Sequence, residues 1–229
     1  MNHLDAELKN LNKDIVAMWK LVIDQLFKSK QAIENFDKDK VCEVLASEKR
    51  VDAFELKINM DCENILALFN PLANDLRFVL AVLKINYNLE RIGDYSKGIV
   101  KLIKNADEPF EKKSLEEASI YGMFDVCLEM LTDSLDAFEH ENNEKVRGIF
   151  KKDDKLDVVN KSANKIVASL IKHNPKNVLS YLDILTIVRK LERVGDQTKN
   201  ISEEIIFYLE AKMVRHMKVK EEKKEKKDK

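Results

Sequence analysis

The sequence predicts an all-α protein built as two tandem three-helix bundles related by an internal repeat. Three observations carry this expectation. The 229 residues include only 5 Gly and 3 Pro, too few for a β-sandwich, which needs a turn about every 8–12 residues. Long amphipathic segments lie between the prolines. And the chain reads twice: LERIGDYSKGI at 89–99 returns as LERVGDQTKNI at 191–201, with seven of eleven positions identical at an offset of 102.

Taken in order, the breaks define six helices. The polar run NFDKDK (35–40) ends the first, and Pro71 follows the apolar end of the second. Pro109 in NADEPF closes the third, HENNE (140–144) the fourth, and Pro175 in KHNPKN the fifth. Proline interrupts the helical ladder, and Asp or Asn at the polar breaks can cap the next helix through its side-chain oxygen. The expected helices are 4–36, 39–69, 73–105, 112–140, 143–172 and 177–213. Each is about 45 Å long at 1.5 Å per residue, and short links make neighbours antiparallel. A repeat of about 100 residues is a duplicated domain rather than a solenoid period. The expected organisation is a first unit at 1–107, a second at 108–217, and a charged, disordered tail at 218–229, where seven Lys and four acids surround a lone Val219.

Composition narrows the function. Hydrophobic residues make up 45% and charged residues 35% of the chain, with a net charge of −1. That balance argues against a nucleic-acid binder. The longest apolar runs, such as Phe78–Leu83, are about a third of a membrane span. The opening MNHLDAELKN shows no apolar signal region, so a cytoplasmic location is expected. Cys42, Cys62 and Cys127 are far apart and form no CxxC; buried free thiols are expected.

The repeat carries acids where apolar residues are expected. At 100° per residue, Leu76, Leu80, Leu83 and Tyr87 of the third helix share an arc, which continues into Glu90, Asp94, Lys97 and Lys101. The sixth helix repeats the pattern with Val178, Leu182 and Leu185, then Arg189, Glu192, Asp196 and Lys199. In the second helix Val41, Leu45 and Leu66 share an arc with Glu48, Asp52, Glu55 and Asn59. In the fifth, Ile149 precedes Asp153, Asp157, Asn160 and Asn164, and the two sets match at an offset of 105. Like charges four apart on a helix repel, and partial burial raises the cost unless the carboxylates are paired or protonated or bind a cation. Lysines, Arg91 and Arg193 are candidate partners. A divalent cation is the sharper alternative, since clustered carboxylates suit hard metals. Gly93 and Gly195 sit mid-helix between the acids, each less favourable than Ala by about 1 kcal/mol, as close approach of a backbone or a bound ion would require.

Catalytic signatures are missing. No Glu precedes a His by three residues, the ligand pattern of ferritin-like di-iron enzymes. P-loop, GxGxxG, HExxH and GxSxG motifs are absent. The four histidines lie near the chain start or near helix ends. No enzyme activity is expected.

The segments PLANDLRFVLAVLKINYNLERIGDYSKGI (71–99) and LERVGDQTKNISEEIIFYLEAKMVRH (191–216) resemble the PhoU family of bacterial phosphate-transport regulators. The likeness extends from about residue 4 to 216. The resemblance implies metal binding through Glu48, Asp52, Glu90 and Asp94 in the first unit, and Asp153, Asp157, Glu192 and Asp196 in the second. Glu55, Asn59, Asn160 and Asn164, on the same arcs, are candidates for an additional shell. The metal implied is divalent: Mg, Mn, Zn, Ca or Fe. The resemblance also implies a homodimeric, cytoplasmic negative regulator of phosphate uptake and starvation signalling. Its expected partners are the ATPase of a phosphate ABC transporter and a sensor histidine kinase, through which it would touch the membrane. Alternatives are an accessory to a sodium/phosphate symporter, a metal-dependent oxidase, and a helical scaffold holding no ion. One departure stands out: Asn174-Pro-Lys-Asn-Val178 replaces the Pro-x-Ala-x-Asp-Leu-Arg pattern, so Asp75 and Arg77 have no twin.

Overall fold

The computed structural model describes residues 3–211, and among these there is no strand. The helices are α1 (His3–Asn35), α2 (Lys38–Phe69), α3 (Ala73–Asn105), α4 (Lys112–Glu117), α5 (Ile120–Glu139), α6 (Asn143–His173) and α7 (Val178–Glu210), with a 3₁₀ turn at Pro175–Asn177 before α7. Most ends fall within a residue or two of the expected ones. The expected tail at 218–229 and the last residues of the expected final helix lie outside the described residues.

One element differs. The expected fourth helix, 112–140, is two. α4 buries Ser114 and Leu115, with Ala118 just beyond its end, whereas α5 buries Ile120, Met123, Phe124, Cys127 and Leu131. On one continuous helix these two sets would face nearly opposite directions. Ser119, with φ 56° and ψ 28°, is left-handed and turns the chain so that both sets reach the core.

The polar breaks act as caps. Asp37 accepts from the Asp39 and Lys40 amides at 2.9 and 3.1 Å, and Asn142 from the Lys145 amide at 3.1 Å. Lys38, at the start of α2, donates to the Lys104 and Ala106 carbonyls that end α3, at 3.1 and 3.0 Å, which satisfies acceptors the helix itself cannot.

α1, α2 and α3 pack into one bundle and α5, α6 and α7 into a second, with α4 against α5. The halves meet where α3 packs on α7 and α1 on α5. α3 and α7 run antiparallel: Lys84 pairs with the buried Glu204 at 2.9 Å, Asn200 donates to Asn88, and Lys190 lies over Gly98. Asn88 and Lys190 are equivalent in the repeat, as are Gly98 and Asn200. The Asn88–Asn200 contact and the Lys190–Gly98 contact are therefore one contact seen from each half, so a pseudo-two-fold axis passes through this seam. At one end Trp19, Phe78, Phe138 and Tyr208, from four helices, close the core with ring centroids 5.5–6.5 Å apart. Cys62 and Cys127 are buried free thiols as expected, and burial pushes the Cys62 thiol up to about 12. Cys42 departs from the expectation: it is exposed on the solvent side of α2.

Candidate metal centres

The acidic arcs do not face the core centre. Tyr87 is 55% exposed and Leu182 44%. The fully buried line of α3 is instead Val79, Val82, Ile85, Leu89 and Ile92. A bundle helix buries a stripe broad enough to hold several neighbouring arcs, so the arc traced in the sequence is the edge of that stripe. The acids of α3 and α2 line a groove between those helices, and those of α7 and α6 line its twin.

At the floor of each groove sits one buried acid, Glu48 at 3% exposure and Asp153 at 1%. In the first, Gln25 Nε2 of α1 donates to Glu48 Oε2 at 3.1 Å, and Lys97 Nζ lies 3.3 Å from Glu48 Oε1 and 3.2 Å from Asp94 Oδ1. Asp94 also takes hydrogen bonds from Glu48 and Glu90 when these carry a proton. In the second, Lys199 Nζ lies 2.8 Å from Asp153 Oδ2. α5 offers no amide there, and Asp153 Oδ1 is buried without a partner. Lys97 and Lys199 are repeat-equivalent, as are Glu48 and Asp153. Of the charges that could compensate the acids, each half has placed the lysine three residues beyond its Asp at the groove floor.

Electrostatics follow this arrangement. Burial pushes Glu48 above the usual carboxylate range, opposed by Gln25 and Lys97. Glu90 is raised to about 7 by burial and then by Asp94 and Glu55. Asp94 is also partly buried, yet the Lys97 ammonium holds it below its ordinary value. Burial raises Asp153, against the pull of Lys199. Glu192 rises through burial and the nearby Asp196, opposed by Arg193. Lys97 and Lys199 are both raised, their acids outweighing burial.

The outer residues differ. Glu55 accepts from Asn59 at 3.1 Å, and Asn59 in turn accepts from the buried Asn86 at 3.0 Å. Asn164 accepts from Arg189 at 3.3 Å, and Asn160 hydrogen-bonds Glu192. Asp52 is exposed and Asp157 half-buried at the rim. Arg193 pairs with Asp196 at 3.2 Å, whereas its counterpart Arg91 turns away to lie over Tyr87.

Gly93 and Gly195 are explained by neighbouring side chains. A Cβ on Gly93 would lie 3.1 Å from Gln25 Oε1 and 3.4 Å from Glu48 Oε2. On Gly195 it would overlap Leu156 Cδ1 and lie 3.0 Å from Asp153 Oδ1. The close approach is by side chains of the floor, not by a backbone.

Gln25 and Asn86 were not singled out in the sequence. The signal for Gln25 is a polar residue inside the apolar stripe of Met18, Leu21, Val22 and Ala32; for the two lysines it is the shared GDxxK spacing.

In kind, the grooves suit a hard cation: their donors are all oxygens, and Asp153 Oδ1 and Gln25 Oε1 are buried with no partner. In spacing, no three His, Cys, Asp or Glu among the described residues converge to hold a metal.

Comparison with known proteins decides the family. The PhoU domain matches this chain twice, at residues 15–103 and 120–205. The chain belongs to the PhoU family. A PhoU relative named phosphate-specific transport system accessory protein, from Serratia marcescens, is 32% identical over 217 residues, covering 93% of this chain and 87% of its own length. The crystal structure of PhoU from Pseudomonas aeruginosa superposes with a TM-score of 0.83 at 25% identity, over 92% of this chain and all of that one. The phosphate transport system regulatory protein PhoU from Streptococcus pneumoniae also gives 0.83, at 26% identity, over 93% of this chain and 99% of that one. PhoU crystal structures thus share this all-helical arrangement, and the two domain matches coincide with the tandem repeat.

Proposed function

We propose that this PhoU-family chain is a non-catalytic regulator of phosphate transport. It damps uptake and starvation signalling as a cytoplasmic homodimer that touches the ATPase of a phosphate ABC transporter and a sensor histidine kinase. The observation that carries this reading is the double PhoU-domain match, with relatives whose names place them in the phosphate-specific transport system. No helix among the described residues is long and apolar enough to cross a membrane.

The acids give the regulator its ion sites. Glu48, Asp52, Glu90 and Asp94 would hold a divalent cation in the first groove, and Asp153, Asp157, Glu192 and Asp196 in the second. Glu55, Asn59, Asn160 and Asn164 stand behind them. Bound there, the cation would neutralise carboxylates that now repel one another, which tightens α2 on α3 and α6 on α7.

Two measurements test the proposal. Affinity capture from phosphate-replete cells should recover the transporter ATPase and the kinase, and deleting the gene should raise a phosphate-starvation reporter in rich medium. Capture of a sodium/phosphate symporter instead, with an unchanged reporter, would select the alternative partner. For the ion, changing Glu90 and Glu192 to Gln and Asp94 and Asp196 to Asn should abolish Mn²⁺ binding by calorimetry while leaving the far-ultraviolet helix signal intact. Unchanged binding would remove the metal assignment.

A further inference from the structure

The four-ring cluster that closes one end of the core borders an open pocket of about 270 Å³. Neither the acidic grooves nor the transport reading uses it. It lies where the start of α1, the start of α3 and the end of α7 come together. Phe78 and Tyr208 form its aromatic wall, edge to face with centroids 5.5 Å apart. Phe138 backs Phe78 at 6.2 Å, and Trp19 lies 5.6 Å from Phe138, so the wall is fixed from behind. Asp75 supplies a carboxylate that has no hydrogen bond or ion pair among the described residues. The side-chain carbonyl of Asn74 is taken by Arg77, which leaves the Asn74 NH₂ for a ligand. Asn12 and Lys9 complete the polar rim.

This lining selects a ligand class. The volume is below that of ordinary drug-sized sites and suits one flat bicyclic ring. Aromatic side chains hold such rings by their faces. An ionised carboxylate only accepts, so the ring edge beside Asp75 must present N–H donors. Asn74 offers a donor, so the same edge must also carry an acceptor. Guanine has both: its N1–H and 2-amino donors stand side by side, next to the O6 acceptor. Adenine places a ring acceptor beside its amino group and would set it against the carboxylate. Lys9 at the rim suits a phosphate carried by the sugar.

We infer that this pocket binds the base of a guanine nucleotide, with Asp75 reading the N1–H and 2-amino edge and Phe78 and Tyr208 holding the face. The site stands apart from the proposed metal grooves and does not rest on them. The chain has one such pocket, not two, because the positions equivalent to Asp75 and Phe78 at the offset of 102 are Asn177 and Ser180. The second half lacks both the carboxylate and the ring.

The test titrates the full chain with GMP, AMP, guanosine and inorganic phosphate by calorimetry. GMP should bind at one per chain, and AMP about ten-fold more weakly or worse. Guanosine should bind as well, since the base makes the selective contacts. Asp75→Asn is the decisive variant, because it keeps the size of the side chain and replaces an acceptor oxygen with an NH₂. GMP should weaken about ten-fold in it, while xanthosine monophosphate, which carries a carbonyl in place of the 2-amino group, should bind more tightly than it does to wild type. A merely structural loss would not produce that reversal. Trp19 is the sole tryptophan and stands behind the wall, so its fluorescence, corrected for nucleotide absorbance, should respond to GMP. Equal binding of GMP and AMP, or an Asp75→Asn protein that keeps its preference for GMP, overturns the guanine assignment. Heat from inorganic phosphate with none from guanosine would place the attraction at Lys9 and overturn the base pocket. No heat from any nucleotide up to about 1 mM overturns the site itself.

Discussion

The two grooves are copies of one motif, yet their floors are built differently. Glu48 is held from two sides, by Lys97 and by an amide from α1. Asp153 has Lys199 alone and keeps a bare buried oxygen. The rims diverge as well. At repeat-equivalent places Leu56, Met60 and Tyr87 are exposed beside the first groove, and Lys161, Lys165 and Arg189 beside the second. The repeat keeps residues that face each other between α2 and α3 and between α6 and α7, while the helix behind each floor, α1 in one unit and α5 in the other, and the outer surface differ. An unshared support, Gln25, therefore decides how strongly each half depends on its lysine.

The largest expected effect breaks that difference directly. Lys199→Met leaves Asp153 buried and unpaired and should destabilise chelator-treated protein by about 2–4 kcal/mol. Lys97→Met, with Gln25 still in place, should cost about 1–2 kcal/mol. Urea unfolding reads both. If Lys97 proves the costlier, the second support does not matter.

Removing that support should make the first floor behave like the second. Gln25→Leu alone should cost about 1–2 kcal/mol by leaving Glu48 short of a donor. Combined with Lys97→Met it should cost more than the two separate losses added together. Strict additivity in the double-mutant cycle would show that Gln25 and Lys97 act on Glu48 independently.

The glycines sharpen the comparison at smaller scale. Gly195→Ala pushes a methyl into Leu156 and should destabilise by about 1 kcal/mol despite the gain in helix propensity. Gly93→Ala meets the end of a Gln side chain, and the two terms should cancel to within about 0.5 kcal/mol. Thermal melts of the pair decide it.

The smallest effect is a pH slope. Glu90 binds its proton more tightly in the folded state, at about 7, than an unfolded glutamate does. The folded chain therefore holds the extra proton between about pH 4.5 and 7, and stability falls as pH rises through that window. The groups facing it are Asp94 and Glu55, which hold the proton on, and Arg91, which opposes them. After solvent screening the contribution should stay under about 1 kcal/mol. Glu90→Gln should flatten the slope more than Glu192→Gln, because Arg193 and a hydrogen bond from Asn160 both restrain the rise at Glu192, whereas Arg91 alone restrains it at Glu90. Equal flattening would mean that the two grooves titrate alike.

Much of this was legible before any coordinates. Pro71, Pro109 and Pro175 mark real boundaries because proline acts locally, and Asp37 and Asn142 cap as their side chains predict. The acids Glu48 and Asp94, and Asp153 in the other half, do meet a lysine of the repeated motif between neighbouring helices. Two departures from the sequence pattern share one cause. The arc through Tyr87 and Leu182 lies at the edge of the buried stripe rather than on the core, and residues 112–140 form two helices rather than one. Helical periodicity gives the relative angle of residues on one helix but not where the neighbouring helices stand. Only the packing of α2 on α3, and of α5 on α6 and α7, sets that zero.

The sequence by itself determined the long helices apart from the α4–α5 break, the caps at Asp37 and Asn142, the duplication and the acids that repeat, since each depends on residues within a few turns of one another or on simple identity at a fixed offset. Tertiary structure alone decided which cation meets those acids. Gln25 is 23 residues from Glu48, Lys97 is 49 residues from it, and Lys199 is 46 residues from Asp153. Separations of that size are closed by helix packing, and no local rule records which charge will arrive first.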